Sequence, residues 1–260
     1  MKKENPKNVT NNFTYVIPFK FTEDRYKTLT KVLTNIKFLN IPIVIVEQGE
    51  QSILSQTNLM NECDEYIFVE NKLPFNKSWG LNCAWKTVNT EFIIFGDADN
   101  LIDPNVLQSS MKEMVDYDFI SPHIRLIDLT NEESVMDTSE IFKIKRPGRG
   151  ELDHQKLPLC GAMTIFRKSA LEDIGGWPEE FFGWGAEDDA MSVKVKHFLK
   201  WKENDFDCYH LYHERVIPQQ DLYFRNFKIY ENYIQAPKEY LQQYIDSTKP
   251  FIGDKNRKFQ

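Results

Sequence analysis

The stretch FFGWGAEDDAM, residues 181–191, sets Trp184, a glycine-rich turn and the consecutive acids Glu187, Asp188 and Asp189 directly before an apolar-periodic run. Two chemistries fit. Acids in a first helical turn face the positive end of the macrodipole and contribute about 0.3–1 kcal/mol each. A carboxylate beside an aromatic plane also suits a catalytic base, because an aspartate with an ordinary pKa of about 4 is ionised at neutral pH and can accept a hydroxyl proton. The two readings are compatible. A second acidic pair, Asp97 and Asp99 about Ala98, follows the apolar run FIIFG. Residues i and i+2 of an extended segment point to one side, so both carboxylates would face one ligand. Hard cations such as Mg2+ or Mn2+ take oxygen donors and keep positions for phosphates. Asp is also common wherever a strand turns into a loop. CYHLYHER, residues 208–215, supplies His210 and His213. Their spacing shares a face in a helix but points oppositely in a strand, which favours a single ligand, an ordinary partly buried histidine being the competing reading. Imidazole beside carboxylate moves the preference from Mg2+ toward Mn2+.

A strand–helix alternation must position these groups. FTYVIPF (13–19) reads as a buried strand, and Tyr26, Leu29, Leu33 and Ile36 recur after it at helical spacing. IPIVIVEQ (41–48), EYIFVE (65–70) and EFIIFGDADN (91–100) are further strands, with a helix over 76–88 between the last two. This predicts an α/β fold with a mostly parallel sheet. Ligands of such sheets lie beyond the carboxyl ends of the strands, so Pro18 to Lys20, Glu47 to Gln48 and Asp97 to Asp99 should converge. Farther on, 159–166 reads as a strand, and a helix opening at the three acids has Met191, Val195, Phe198 and Leu199 as its buried stripe. Tyr223, Phe227, Tyr230 and Ile234 predict a C-terminal helix packed back on the domain.

Residues 1–12 read as a loose polar leader, and 128–157 as a long polar loop. Its basic residues Lys143, Lys145, Arg146, Arg149 and Lys156 either form a solvated face or a flap closing over an anionic substrate. A net charge of −7 argues against a protein that neutralises nucleic-acid backbones, whereas a single nucleotide is compatible because a metal ion can supply positive charge locally. Cys63, Cys83, Cys160 and Cys208 lack metal-site spacing and read as buried thiols. No run approaches the roughly 18 apolar residues of a membrane span, so a cytoplasmic location is expected. The sequence fixes no oligomeric state.

The motifs YVIPFK…DR, VEQ, PFNKSWGLN, FGDADN, GGWPEEFFGWGAEDD and HLYH stand in the order found in nucleotide-sugar glycosyltransferases of the GT-A fold. Over residues 13–216 the chain resembles the β-1,4-galactosyltransferases and the chondroitin-polymerase type, with 217–260 as a C-terminal helical segment. The resemblance implies Mn2+ or Mg2+, a UDP-sugar donor and a glycan or other hydroxyl acceptor. It implies Asp99 and His213 as metal ligands, with His210 standing where the galactosyltransferases carry a methionine ligand. Asp97 and Ala98 would lie by the donor, Pro18, Phe19, Lys20 and Arg25 by the nucleotide, and Glu47 and Gln48 near its base. Phe75, Asn76 and Lys77 match a Phe-Asn-Arg segment that contacts the uridine diphosphate. Trp184 and Gly185 would border donor sugar and acceptor, Glu187 would bind sugar hydroxyls, and Asp188 would be the base. Ala186 replaces a family glycine.

Two other readings compete. A sugar-phosphate nucleotidyltransferase also pairs an α/β nucleotide fold with a metal, but IPFKFTED has no glycine-rich phosphate loop. A non-catalytic carbohydrate-binding protein would leave the converging acids unused.

Overall fold

Alternating apolar residues on the first strand point to opposite faces, and the two faces belong to different cores. A computed structural model describes residues 12–149, 157–214 and 219–257. The expected leader falls almost wholly outside these residues, as does Lys156. Strand β1 (Phe13–Phe19) places Tyr15 and Ile17 in one hydrophobic cluster and Val16 in the other. The same split continues on β2 (Ile43–Gly49) and β4 (Phe92–Gly96), as expected for strands covered by helices on both sides. Helix α1 (Glu23–Ile36) closes the first face, with Thr22 accepting a hydrogen bond from the Arg25 N–H as its N-cap. Between β3 (Glu65–Glu70) and β4, helix α2 (Lys77–Trp85) closes the second.

The sheet has seven strands in the order β3-β2-β1-β4-β8-β6-β9, where β6 is Phe119–Ser121, β8 is Met163–Arg167 and β9 is Trp201–Glu203. Its first four strands are parallel, and β8 runs antiparallel to both β4 and β6. A separate three-stranded sheet joins β5 (Asn100–Leu101), β10 (Asp207–His210) and β7 (Arg125–Asp128). Helix α3 (Pro104–Glu113) packs on the first face, and the one-turn helices α4 (Asn131–Ser134) and α5 (Thr138–Ile141) follow β7. Helix α6 (Lys168–Asp173) follows β8, and α7 (Glu187–Phe198) starts at the first of the three acids.

Two C-terminal helices, α8 (Gln220–Gln235) and α9 (Lys238–Thr248), cover the outer side of α7 through Tyr233, Leu241 and Ile245. The buried stripe of α8 is offset from the sequence expectation: Tyr233 and Asn226 are buried while Ile234 is exposed. Aromatic spacing alone does not mark it because Tyr223 and Phe227 pack elsewhere, beside Trp184. Among the described residues no helix is long and apolar enough to cross a membrane.

Helix α2 is buried on nearly every side, because the C-terminal stretch crosses its outer face. Trp79 Nε1 donates to the Asp254 carbonyl at 2.9 Å, and Lys86 Nζ reaches the Ile252 carbonyl. Asn82 locks this helix to the segment before the acidic turn. Its Oδ1 accepts from Trp177 N–H and Trp85 Nε1, both at 2.8 Å, and its Nδ2 donates to the Trp177 carbonyl at 2.7 Å and Glu179 Oε1 at 2.9 Å. Asn82→Ala would strand several buried polar groups. It is expected to cost about 3 kcal/mol or more in urea unfolding, with a matching drop in the thermal midpoint.

Candidate active site

Strand β4 ends at Gly96, where a Cβ would lie 1.9 Å from the Tyr15 hydroxyl on the neighbouring strand, so the packing of Tyr15 requires glycine at this position. The turn closes with the Asn100 N–H donating to the Asp97 carbonyl at 3.3 Å. This turn parts the two carboxylates that an extended segment would have held together. Asp97 accepts from Lys77 Nζ at 3.0 Å, while Asp99, only 4% exposed, lies 2.9 Å from an Arg25 guanidinium nitrogen, 3.3 Å from His213 Nε2 and 3.9 Å from His210 Nε2.

The second sheet assembles that cluster. Antiparallel pairing sets His210 opposite Asn100, and the Leu211 N–H donates to the Asp99 carbonyl at 2.8 Å. Strand β10 ends at His210, so His213 is beyond it and the opposed orientation expected of a strand does not apply. Both imidazoles therefore reach Asp99, their rings 5.1 Å apart between centroids. The ligand atoms of Asp99, His210 and His213 all lie within 4.8 Å of one another. One carboxylate and two imidazoles around a common point are a donor set that fits a divalent transition ion. Burial alone would raise the Asp99 pKa. The hydrogen bond from His213 and the charges of Arg25 and His210 outweigh it and hold the carboxyl well below the ordinary range. His213 is raised, first by that hydrogen bond, whereas burial lowers His210.

The other acids gather around Lys77 at the start of α2. Asn76 caps this helix, its Oδ1 accepting from the Trp79 N–H at 2.9 Å and its Nδ2 donating to the Glu179 carbonyl at 2.7 Å. The Lys77 ammonium, largely enclosed, bridges Asp97 at 3.0 Å and Asp188 at 3.2 Å. Enclosure would lower its pKa, but Asp188, Asp97 and Glu187 together raise it. Enclosure pushes the Asp188 carboxyl well up, with Glu187 and Asp97 adding to the rise and Lys77 opposing it. The bare aspartate expected from sequence is thus a crowded one. Gly161 abuts it, where a Cβ would come within 3.3 Å of Asp188 Oδ2.

The turn before α7 passes through left-handed backbone at Gly183, Gly185 and Ala186, with φ of 74°, 107° and 71°. Ala186 accepts a conformation its family counterpart glycine would adopt without strain. Trp184 is 62% exposed and lies parallel to Tyr223 of α8, with centroids 5.6 Å apart. The remaining expected residues differ in exposure. Pro18, Phe19 and Ala98 are buried in the sheet and its core. Lys20 is exposed, and Phe75 is half-buried with its carbonyl accepting from the Gly183 N–H at 2.8 Å. Glu47 accepts from the Leu54 N–H at 3.2 Å and from the Tyr66 hydroxyl. Gln48 Oε1 accepts from the Asn71 amide at 2.9 Å and the Asn76 N–H at 3.1 Å, so it holds the N-terminus of the helix that presents Lys77.

Sequence reasoning passed over Asp128, whose only signal was an acid ending the short apolar run RLID, and Tyr223, which read as ordinary packing. The basic residues described in the 128–157 loop all meet acids: Lys143 with Glu140, Lys145 with Asp207, Arg146 with Glu133 and Arg149 with Asp128. They brace the loop.

A parallel sheet with acids at its carboxyl edge and an antiparallel β8 defines a GT-A nucleotide-sugar transferase fold. Residues 15–175 match the sequence model of glycosyl transferase family 2, and the chain belongs to that family. Residues 153–214 also match a model described as the N-terminal domain of galactosyltransferase. No curated protein sequence matches. Among solved structures, S. aureus TarS 1-349 in complex with UDP-GlcNAc aligns at 16% identity over 93% of this chain and 73% of its own, with a TM-score of 0.58. The catalytic domain of Drosophila β1,4-galactosyltransferase 7 in complex with xylobiose aligns at 14% identity over 87% of this chain and 82% of its own, TM-score 0.53. The mannosyltransferase PcManGT from Pyrobaculum calidifontis, in complex with GDP-Man and Mn2+, aligns at 14% identity over 94% and 76%, TM-score 0.53. These likenesses establish the fold, and family membership makes the protein a glycosyltransferase.

The Lys77 bridge can be tested directly. In metal-free buffer, Lys77→Met is expected to move the Asp188 titration, followed by carboxyl 13C NMR, to higher pH, since the group that favours its ionised form is gone. An unmoved titration would show that the pair does not form in solution.

Proposed function

We propose that the protein transfers a hexose or N-acetylhexosamine from a UDP-sugar to a hydroxyl of a glycan acceptor, with inversion at the anomeric carbon and with Mn2+ or Mg2+ bound. The observation that carries this reading is the reach of one ammonium: Lys77 contacts both Asp97, next to the cation-binding set, and Asp188, next to the exposed Trp184. One ammonium thus links the neighbourhood of the candidate cation site to the candidate base, which supports a shared site. UDP is favoured as the nucleotide because Phe75, Asn76 and Lys77 resemble the segment that contacts uridine diphosphate in the galactosyltransferases.

Asp99, His210 and His213 would hold the metal, which supplies positive charge for the departing diphosphate. The donor's diphosphate draws the Lys77 ammonium toward itself and releases Asp188 from its ion pair. Asp188 then accepts the proton of the acceptor hydroxyl as that oxygen bonds to the anomeric carbon. The bond from that carbon to the diphosphate breaks, and its electron pair leaves on the phosphate oxygen. Trp184, held against Tyr223 on one side, offers a plane to a sugar face, and Glu187 offers acceptors to its hydroxyls. A single displacement with one carboxylate as base gives inversion.

Asp188→Asn should lower turnover by about 10²-fold or more in a coupled UDP-release assay, while calorimetry shows UDP binding near the parent value. Near-normal turnover would remove Asp188 from its role. Asp99→Ala should abolish the gain in UDP affinity that Mn2+ confers; a parent protein that binds UDP equally well with and without Mn2+ would overturn the metal reading.

A further inference from the structure

Outside the residues already given roles, the strongest juxtaposition lies on the edge of His210 turned away from Asp99. Strand β7 runs parallel to β10 with Asp128 registered against His210, and the Leu129 N–H donates to the His210 carbonyl at 2.9 Å. This register brings Asp128 Oδ1 to 3.0 Å from His210 Nδ1, while Nε2 on the other edge of the same ring faces Asp99. Asp128 is itself held. Arg149 pairs with β7 through a bridge to Leu126, and its guanidinium places Nε 2.8 Å from Asp128 Oδ2 and a terminal nitrogen 2.8 Å from Oδ1. Arg146 adds a hydrogen bond to the Asp128 carbonyl at 2.5 Å.

A neutral imidazole carries one proton, and it stays on the nitrogen within hydrogen-bond distance of a carboxylate, here Nδ1 at 3.0 Å from Asp128 rather than Nε2 at 3.9 Å from Asp99. With Nδ1–H donating to Asp128, the Nε2 lone pair is left pointing toward Asp99 and His213. An acid that fixes the tautomer and ring plane of a ligating histidine also makes that ligand more basic. We infer that Asp128, braced by Arg149, is the positioning residue that makes His210 a metal ligand, so that the basic loop acts as a strut for the cation site. This rests on reading Asp99, His210 and His213 as that site.

The test uses the full chain and Mn2+ alone, by calorimetry. Asp128→Ala should weaken Mn2+ binding about 10- to 100-fold. Asp128→Asn, whose amide oxygen still accepts from Nδ1–H, should keep most of the affinity and guards against a folding defect in the alanine variant. His210→Ala should lose as much as Asp128→Ala, and the double variant no more than His210→Ala alone, because the acid acts through the ring. In 15N-histidine NMR of the metal-free protein, His210 should be the Nδ1–H tautomer and lose that preference in Asp128→Ala. Unchanged Mn2+ affinity in Asp128→Ala, or full additivity in the double variant, overturns the positioning role while leaving the metal reading intact. A parent protein that binds no Mn2+ overturns both.

Discussion

A carboxylate as enclosed as Asp99 cannot remain ionised at the end of a sheet unless cationic or hydrogen-donating groups surround it. That requirement organises the cleft. Arg25 comes from the first turn of α1, His210 from the end of β10 and His213 from the segment beyond, so two distant parts of the chain are committed to one oxygen atom. The same balance recurs at Lys77, where one ammonium stands between Asp97 and Asp188. Each charge at the site is thereby matched by one the protein itself supplies.

Rigidity comes from behind the cleft. Gln48, Asn71 and Asn76 form a hydrogen-bonded layer beneath Lys77, and Asn82 with Glu179 ties α2 to the chain before the Trp184 turn. These groups are buried and satisfied, which lets them hold backbone geometry against the pull of charged ligands. The tryptophan turn is different in kind, with successive left-handed residues and an exposed indole resting on a single ring of α8.

Much of this was legible in the sequence where periodicity is long. The first and third strands occupy the residues their apolar runs predicted, and α7 begins at Glu187, where the acids and the dipole agree. Asp99 and His213 meet as the motif order implied. The small sheet was not legible, because β5, β7 and β10 are two to four residues long and carry no measurable period. With it went Asp128 and the parting of Asp97 from Asp99, which depend on register between strands far apart in the chain; that both histidines approach Asp99 was implied by the resemblance and not by their spacing. The ion pairs of Lys77 and Arg25 were hidden for the same reason: sequence shows that a base and an acid exist, not that a fold brings them within 3 Å.

The division into two sheets separates duties that could have been fused. Asp97 follows β4 of the large sheet and Lys77 opens the helix packed on it, whereas the two imidazoles come from β10 of the small sheet and the chain just after it, joined to the large sheet through the short turn after Gly96. Such a seam lets the side chain at position 210 change without disturbing the hydrogen-bonded layer of Gln48, Asn71 and Asn76 beneath Lys77.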